Sequence, residues 1–319
     1  MARTTVYNDI TSKEKLNQCN PENLQIIKEF IEYKDSEGKS DKTIVVYKNA
    51  SEIICIFFLE KCANKSFLKI NKRDVIQFFA WLQNDLKVSS SRIAFMRSTL
   101  SGICDYIENI MEVEGFRNNV LKIKTAPKSA VRDKTIIEED KIIEMMNFYK
   151  NKEDYLTMII LALAVSSGLR KSELLEIKMS TFDEQNIKGK FYVTPQPIKV
   201  KGRGKNAKAT KFIIKDMFDE YLKIWEEYRI KNNISNEYLI ANEKGRLNIK
   251  QLDYIASKVS KDFDISFYFH SLRHATCTIL YKKGNDLNKI KVILGHKDIS
   301  TTSIYNDTDD SEELEGLNI

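Results

Sequence analysis

The chain has 319 residues, 42% of them hydrophobic, with a formal net charge of +6; it exceeds the usual single domain of about 100 to 200 residues and is too apolar to be disordered. Cys19, Cys55, Cys62, Cys104 and Cys277 are odd in number and contain no CxxC pair, which argues against a disulfide framework or a structural zinc site and fits a reducing cytoplasm. The longest uncharged run, Tyr155 to Leu169, is shorter than the roughly 18 residues that span a bilayer, and the polar N-terminus lacks the apolar core of a signal peptide, so a soluble cytoplasmic protein is expected, without membrane contact.

Residues 1–20 read as an N-terminal extension. Over residues 21–113 apolar side chains recur at helical spacing: Leu24, Ile27, Phe30 and Ile31, then Val75, Phe78, Phe79 and Leu82. Ser40-Asp41-Lys42-Thr43 looks like a helix start ahead of the apolar run Ile53 to Leu59, and Ser89 to Ser91 opens a helix carrying Ile93, Met96, Leu100, Ile103 and Ile107. A bundle of about four helices follows. Residues 114–135 lack periodicity and carry Lys122, Lys124, Lys128, Arg132 and Lys134, as an extended basic linker would.

From residue 136 to 306 helices surround one convincing strand pair. Phe191 to Val200 and Ala209 to Ile214 are β-prone and flank the basic, glycine-rich Lys201-Gly202-Arg203-Gly204-Lys205. Helical patterns return at Asp216–Lys231, Ile249–Phe263, Ser271–Lys283 and Leu287–Leu294. The expected class is mainly α with a small β-sheet: a helical bundle followed by an α+β domain. Residues 307–319 form an acidic tail with Asp307, Asp309, Asp310, Glu312, Glu313 and Glu315 and no basic residue. The body is therefore more basic than the total suggests, which suits nucleic acid or an ordinary Lys-rich solvated surface.

The only histidines, His270, His274 and His296, lie in the last fifty residues. His270 and Arg273 are three apart, which at a helix start brings them to one face. Ile293-Leu294-Gly295-His296 reads as a helix closing on a glycine cap, and Ser300-Thr301-Thr302 as the start of a short helix bearing Tyr305. Any of these residues, taken alone, is equally a cap, a core residue or a surface charge. Together, Ser167-Gly168-Leu169-Arg170-Lys171-Ser172-Glu173-Leu174, His270-Ser271-Leu272-Arg273-His274-Ala275-Thr276, and Leu294-Gly295-His296 with Tyr305 nine residues on resemble, in order and spacing, the three signature boxes of the tyrosine recombinases, or phage integrases. Less specifically, Lys42, Thr43 and Tyr47 are similar to a pattern in that family's helical, SAM-like core-binding domain. The stretch before residue 20 looks too short for the separate arm-binding domain of larger phage integrases.

The resemblance implies a catalytic domain over residues 136–306 in which Tyr305 attacks a DNA phosphate and forms a 3′-phosphotyrosine. Arg170 and Arg273 match the arginines on the non-bridging oxygens, for which guanidinium forks are suited. His270 and His296 match groups that contact the same phosphate and move the nucleophile's proton, with Glu173 and His274 bracing them. The family's hairpin lysine, which protonates the leaving 5′ oxygen, aligns with Lys205 when Lys211-Phe212-Ile213-Ile214 is taken as the closing strand. Matching the first Lys-Gly selects Lys201 instead, and Arg203 is also near. Lys199, Lys201, Arg203, Lys208 and Lys211 are otherwise expected to contact phosphates. Further implications are a monomer when free, a homo-tetramer on two duplex sites, exchange through a Holliday junction in integration or excision of a mobile element, a directionality factor, and no metal or nucleotide cofactor. A type IB topoisomerase shares this chemistry, and a catalytically silent DNA-binding protein is the rival outside enzymology.

Overall fold

The computed structural model describes residues 6–124, 137–200 and 207–294. They cluster into two compact units, one within residues 6–124 and the other from residue 137 to 294.

In the first unit, helix starts sit where side chains satisfy the first free N–H groups. Ser12 caps α2 (Lys13–Gln18), which follows the short α1 (Val6–Ile10). Asn20, with Pro21 behind it, opens α3 (Pro21–Ser36), and Ser40 opens α4 (Asp41–Lys61). Asn71 and Asp74 form a reciprocal capping box on α5 (Lys72–Ala80), and Ser89 caps α6 (Ser90–Asn109).

From Ala50 to Phe58 every residue of α4 is buried, because α3, α6 and the two short N-terminal helices pack around it. Its aromatic side continues into α5 and the turn after it: the Phe57 ring lies 5.0 Å from Phe78 and 5.2 Å from Trp81. The N-terminal segment belongs to this core. Ile10 and Cys19 are buried, Tyr7 Oη donates to Glu52 of α4, and Asn20 N–H donates to Asn64 Oδ1 at 2.8 Å. The segment expected to be a separate extension is thus seated on the bundle by a few buried anchors.

The second unit is built on α8 (Tyr155–Ser167), buried from Thr157 to Ser167, with α7 (Glu139–Asn151) beside it and the one-turn α9 (Lys171–Leu174) after it. A three-stranded antiparallel sheet joins β1 (Ile187–Lys188), β2 (Phe191–Val193) and a later strand, Phe212–Ile214. Between the last two a separate ladder forms from β3 (Ile198–Lys199) and β4 (Lys208–Ala209), so that Phe212–Ile214 is β5. The single strand expected over Phe191–Val200 is split because Pro195 and Pro197 cannot donate to a ladder.

The chain continues through α10 (Asp219–Lys231), the hairpin β6 (Ala241–Asn242) and β7 (Gly245–Arg246), then α11 (Ile249–Asp262), α12 (Phe269–Lys282) and α13 (Leu287–Leu294). α10 starts three residues later than its sequence pattern because Lys215–Met217 make a tighter 3-10 turn first. α7, α10, α12 and β5 enclose α8, which explains its lack of a polar face. No helix among the described residues is long and apolar enough to cross a membrane.

Candidate active site

α8 ends at Gly168, whose φ of +58° lies in the left-handed region that favours glycine. The turn sends Leu169 into the core and sets Arg170 at the start of α9. There the carboxylate of Glu173, fully buried, folds back on Arg170: Oε2 accepts its backbone N–H at 3.2 Å and Oε1 accepts Nη1 at 3.1 Å. The Arg170 side chain keeps 28% of its surface exposed. Its guanidinium is thus anchored at one edge and open at another, a suitable posture for a bidentate oxyanion ligand.

Arg273, on α12, points inward and is only 1% exposed. Its Nη1 donates to Gly168 O and its Nη2 to Leu294 O at 2.6 Å. Both carbonyls belong to helix ends that lack intrahelical donors, and a cation there also meets the negative end of each helix dipole. Thr276, one turn on, donates to Val165 O at 2.8 Å and holds α12 on α8. One arginine therefore ties the ends of α8 and α13 together, next to Arg170 in sequence on one side and to Gly295-His296 on the other. Cys277, its neighbour in α12, is buried, and desolvation pushes its thiol up to about 11, so it is not a competing nucleophile.

His270 is exposed and His274 half-buried; their rings meet edge to face with centroids 4.7 Å apart. The ring contact of His270 is thus with His274 one turn along, while Arg273, expected on its face, turns into the core.

Lys199 and Lys208 are exposed and stand opposite each other in the β3–β4 ladder. Like charges placed directly across a ladder are unfavourable unless an anion shares them. Lys211 departs from expectation. Rather than reaching for phosphates, it is 2% exposed, with Nζ 3.3 Å from Glu173 Oε2. Its backbone N–H donates to Thr194 Oγ1 at 3.0 Å and its carbonyl accepts from Thr194 N–H at 3.0 Å. Burial lowers its pKa, and the positive charges of Arg273 and Arg170 add to that, against the opposing pull of Glu173. The strand period carried the signal: Lys211 is two residues from the buried Ile213 and so shares its face. Lys201, Arg203, Lys205, His296 and Tyr305 lie outside the described residues.

The phage integrase family model matches residues 135–312, and the model of the phage integrase N-terminal SAM-like domain matches residues 26–109. The chain belongs to the phage integrase family. It is a site-specific recombinase of the tyrosine type, mainly helical with small sheets, and the signature boxes read from the sequence fall within the longer match.

The recombinase is 29% identical over 311 residues to the SPbeta prophage-derived recombinase-like protein YomM of Bacillus subtilis, covering 93% of this chain and 90% of that protein. It is 27% identical over 290 residues to the tyrosine recombinase XerA of Pyrococcus horikoshii, covering 89% of each. Among solved structures, a lambda integrase tetramer bound to a Holliday junction shares the fold with a TM-score of 0.66 and 20% identity, over 89% of this chain and 76% of that one.

Proposed function

We propose that this recombinase cuts duplex DNA by attack of the Tyr305 oxygen on a phosphodiester. The P–O bond to tyrosine forms, the bond to the 5′ oxygen breaks, and that oxygen leaves as a hydroxyl carrying a proton from Lys205. A phenol of pKa about 10 is a weak nucleophile, but the phosphotyrosine conserves the bond for religation to a partner strand. Arg170 and Arg273 stabilise the charge that grows on the non-bridging oxygens, and His270 and His296 contact the phosphate and move the nucleophile's proton. Glu173 and His274 support them, while Lys199, Lys201, Arg203 and Lys208 grip flanking phosphates.

The observation that carries this reading is the open guanidinium of Arg170 on the buried Glu173, beside the helix ends joined by Arg273. Residues 21–113 act as the core-binding domain, 114–135 as a basic linker and 136–306 as the catalytic domain, and both domains bind duplex DNA. Four copies exchange strands through a Holliday junction, the assembly named for the lambda integrase neighbour, and the prophage origin of YomM supports integration or excision of a mobile element.

The test is a nicked suicide substrate bearing the element's own junction sequence. Wild type is expected to give a denaturation-resistant protein–DNA adduct, and Tyr305→Phe to bind the same DNA without one. An adduct from Tyr305→Phe would move the nucleophile elsewhere, and supercoil relaxation at no particular site would favour topoisomerase action.

A further inference from the structure

The two cations that meet the Glu173 carboxylate come from different elements and differ in exposure. Arg170 Nη1 is 3.1 Å from Oε1 with its side chain 28% exposed; Lys211 Nζ is 3.3 Å from Oε2 with its side chain 2% exposed. Arg170 can therefore still receive a ligand, whereas Lys211 has no open surface to offer one. A buried carboxylate facing one arginine alone would cancel that arginine's charge. Here its charge is divided between two cations.

We propose that Lys211 is a positioning residue for strand cleavage, presupposing the Tyr305 chemistry above: through Glu173 it leaves Arg170 oriented and positively charged for the scissile phosphate. The geometry holds it to that task. Both backbone groups of Lys211 are fixed by Thr194, and its side chain is buried, as is that of Ile213 two residues on, the spacing that puts both on one face of a strand. The phosphate-facing part of the hairpin is served instead by Lys199 and Lys208, both exposed.

Energetics point the same way. Burying an ammonium group costs free energy that a single carboxylate does not reliably return, and apolar replacements of buried pairs are often neutral or better for stability. Lys211 is in addition set among like charges, those of Arg170 and Arg273. Fold stability is thus a poor reason for a lysine here. A site that must neutralise a dianionic phosphorane is a good one, because every cation whose charge is not cancelled lowers that barrier.

Single-turnover cleavage would be compared for wild type, Lys211→Met, Lys211→Arg and the double variant Lys211→Met/Glu173→Gln. Each would be given suicide substrates with either a natural phosphate or a methylphosphonate at the scissile position. Lys211→Met should slow cleavage of the phosphate by about 10- to 100-fold, by analogy with the loss on removing an outer-shell group that orients a metal ligand. The loss should shrink several-fold on the methylphosphonate, where a neutral methyl replaces one charged oxygen. Lys211→Arg should restore most of the rate.

The double variant contains no unpaired buried charge, so it stands in where Lys211→Met does not fold. Its ratio of phosphate to methylphosphonate rates should match wild type, and a depressed ratio would overturn the proposal. So would a Lys211→Met rate equal to wild type, or an equal loss on both substrates, which marks a packing role. Absence of an adduct from wild type overturns the Tyr305 chemistry and this role with it; an adduct unaffected by Lys211→Met overturns this role alone.

Discussion

A methyl group added to Gly168 would lie 2.2 Å from Leu294 Cδ2, so the end of α8 and the end of α13 touch closely enough that the buried Leu294 side chain would have to shift to admit it. The same two residues supply the carbonyls that Arg273 holds. Packing and hydrogen bonding thus set one geometry, and any displacement of α13 also displaces an Arg273 partner.

Gly168→Ala should accordingly destabilise the second unit and impair cleavage. The left-handed φ of +58° costs a residue with a Cβ about 1–2 kcal/mol, and overpacking against the buried Leu294 adds roughly 1–3 kcal/mol. A urea titration should show a lower midpoint with unchanged slope. An unaltered midpoint together with full cleavage would mean that α13 yields freely and that the contact sets nothing.

Much of this arrangement was legible in the sequence. Local rules located the helix starts at Ser40 and Ser89, since each depends on a side chain acting within a few residues. The order of the three boxes named the family. What the sequence concealed depends on contacts across long separations: Arg273 reaching Gly168, 105 residues away, and Leu294, and Lys211 reaching Glu173. A basic hairpin residue is ordinarily solvated, and only its place in the β5 alternation distinguished Lys211 from Lys208. The seating of the N-terminal helices was hidden likewise, because Tyr7 meets Glu52 and Asn20 meets Asn64 across more than forty residues of chain.

Three basic residues compete for the role of general acid, and leaving-group chemistry separates them. A 5′-bridging phosphorothiolate releases a thiolate that needs no proton. Lys205→Ala should therefore slow cleavage of normal DNA by about 100-fold or more, as loss of a general acid does, and be rescued on the sulfur substrate. Rescue at Lys201→Ala or Arg203→Ala in its place would transfer the role, and a slowing that sulfur leaves untouched would make Lys205 a phosphate ligand.

The acidic segment after Tyr305 is expected to act between protomers. Asp307 to Glu313 includes no apolar and no basic residue, and phosphate would repel it, so its expected partner is not DNA. Leu314, Leu317 and Ile319 nevertheless add an apolar edge beyond it, which a solubilising tail has no need of. Docked on a neighbouring copy, that edge would link each Tyr305 to the next active site and provide a means of keeping half of the sites silent. Truncation after Thr308 tests this by band-shift and recombination assays on one and two DNA sites. Single-site binding should persist at wild-type affinity while the paired complex and the recombinant product disappear; a truncated chain that still assembles four copies and recombines at the full rate would show the segment to be a dispensable acidic tail.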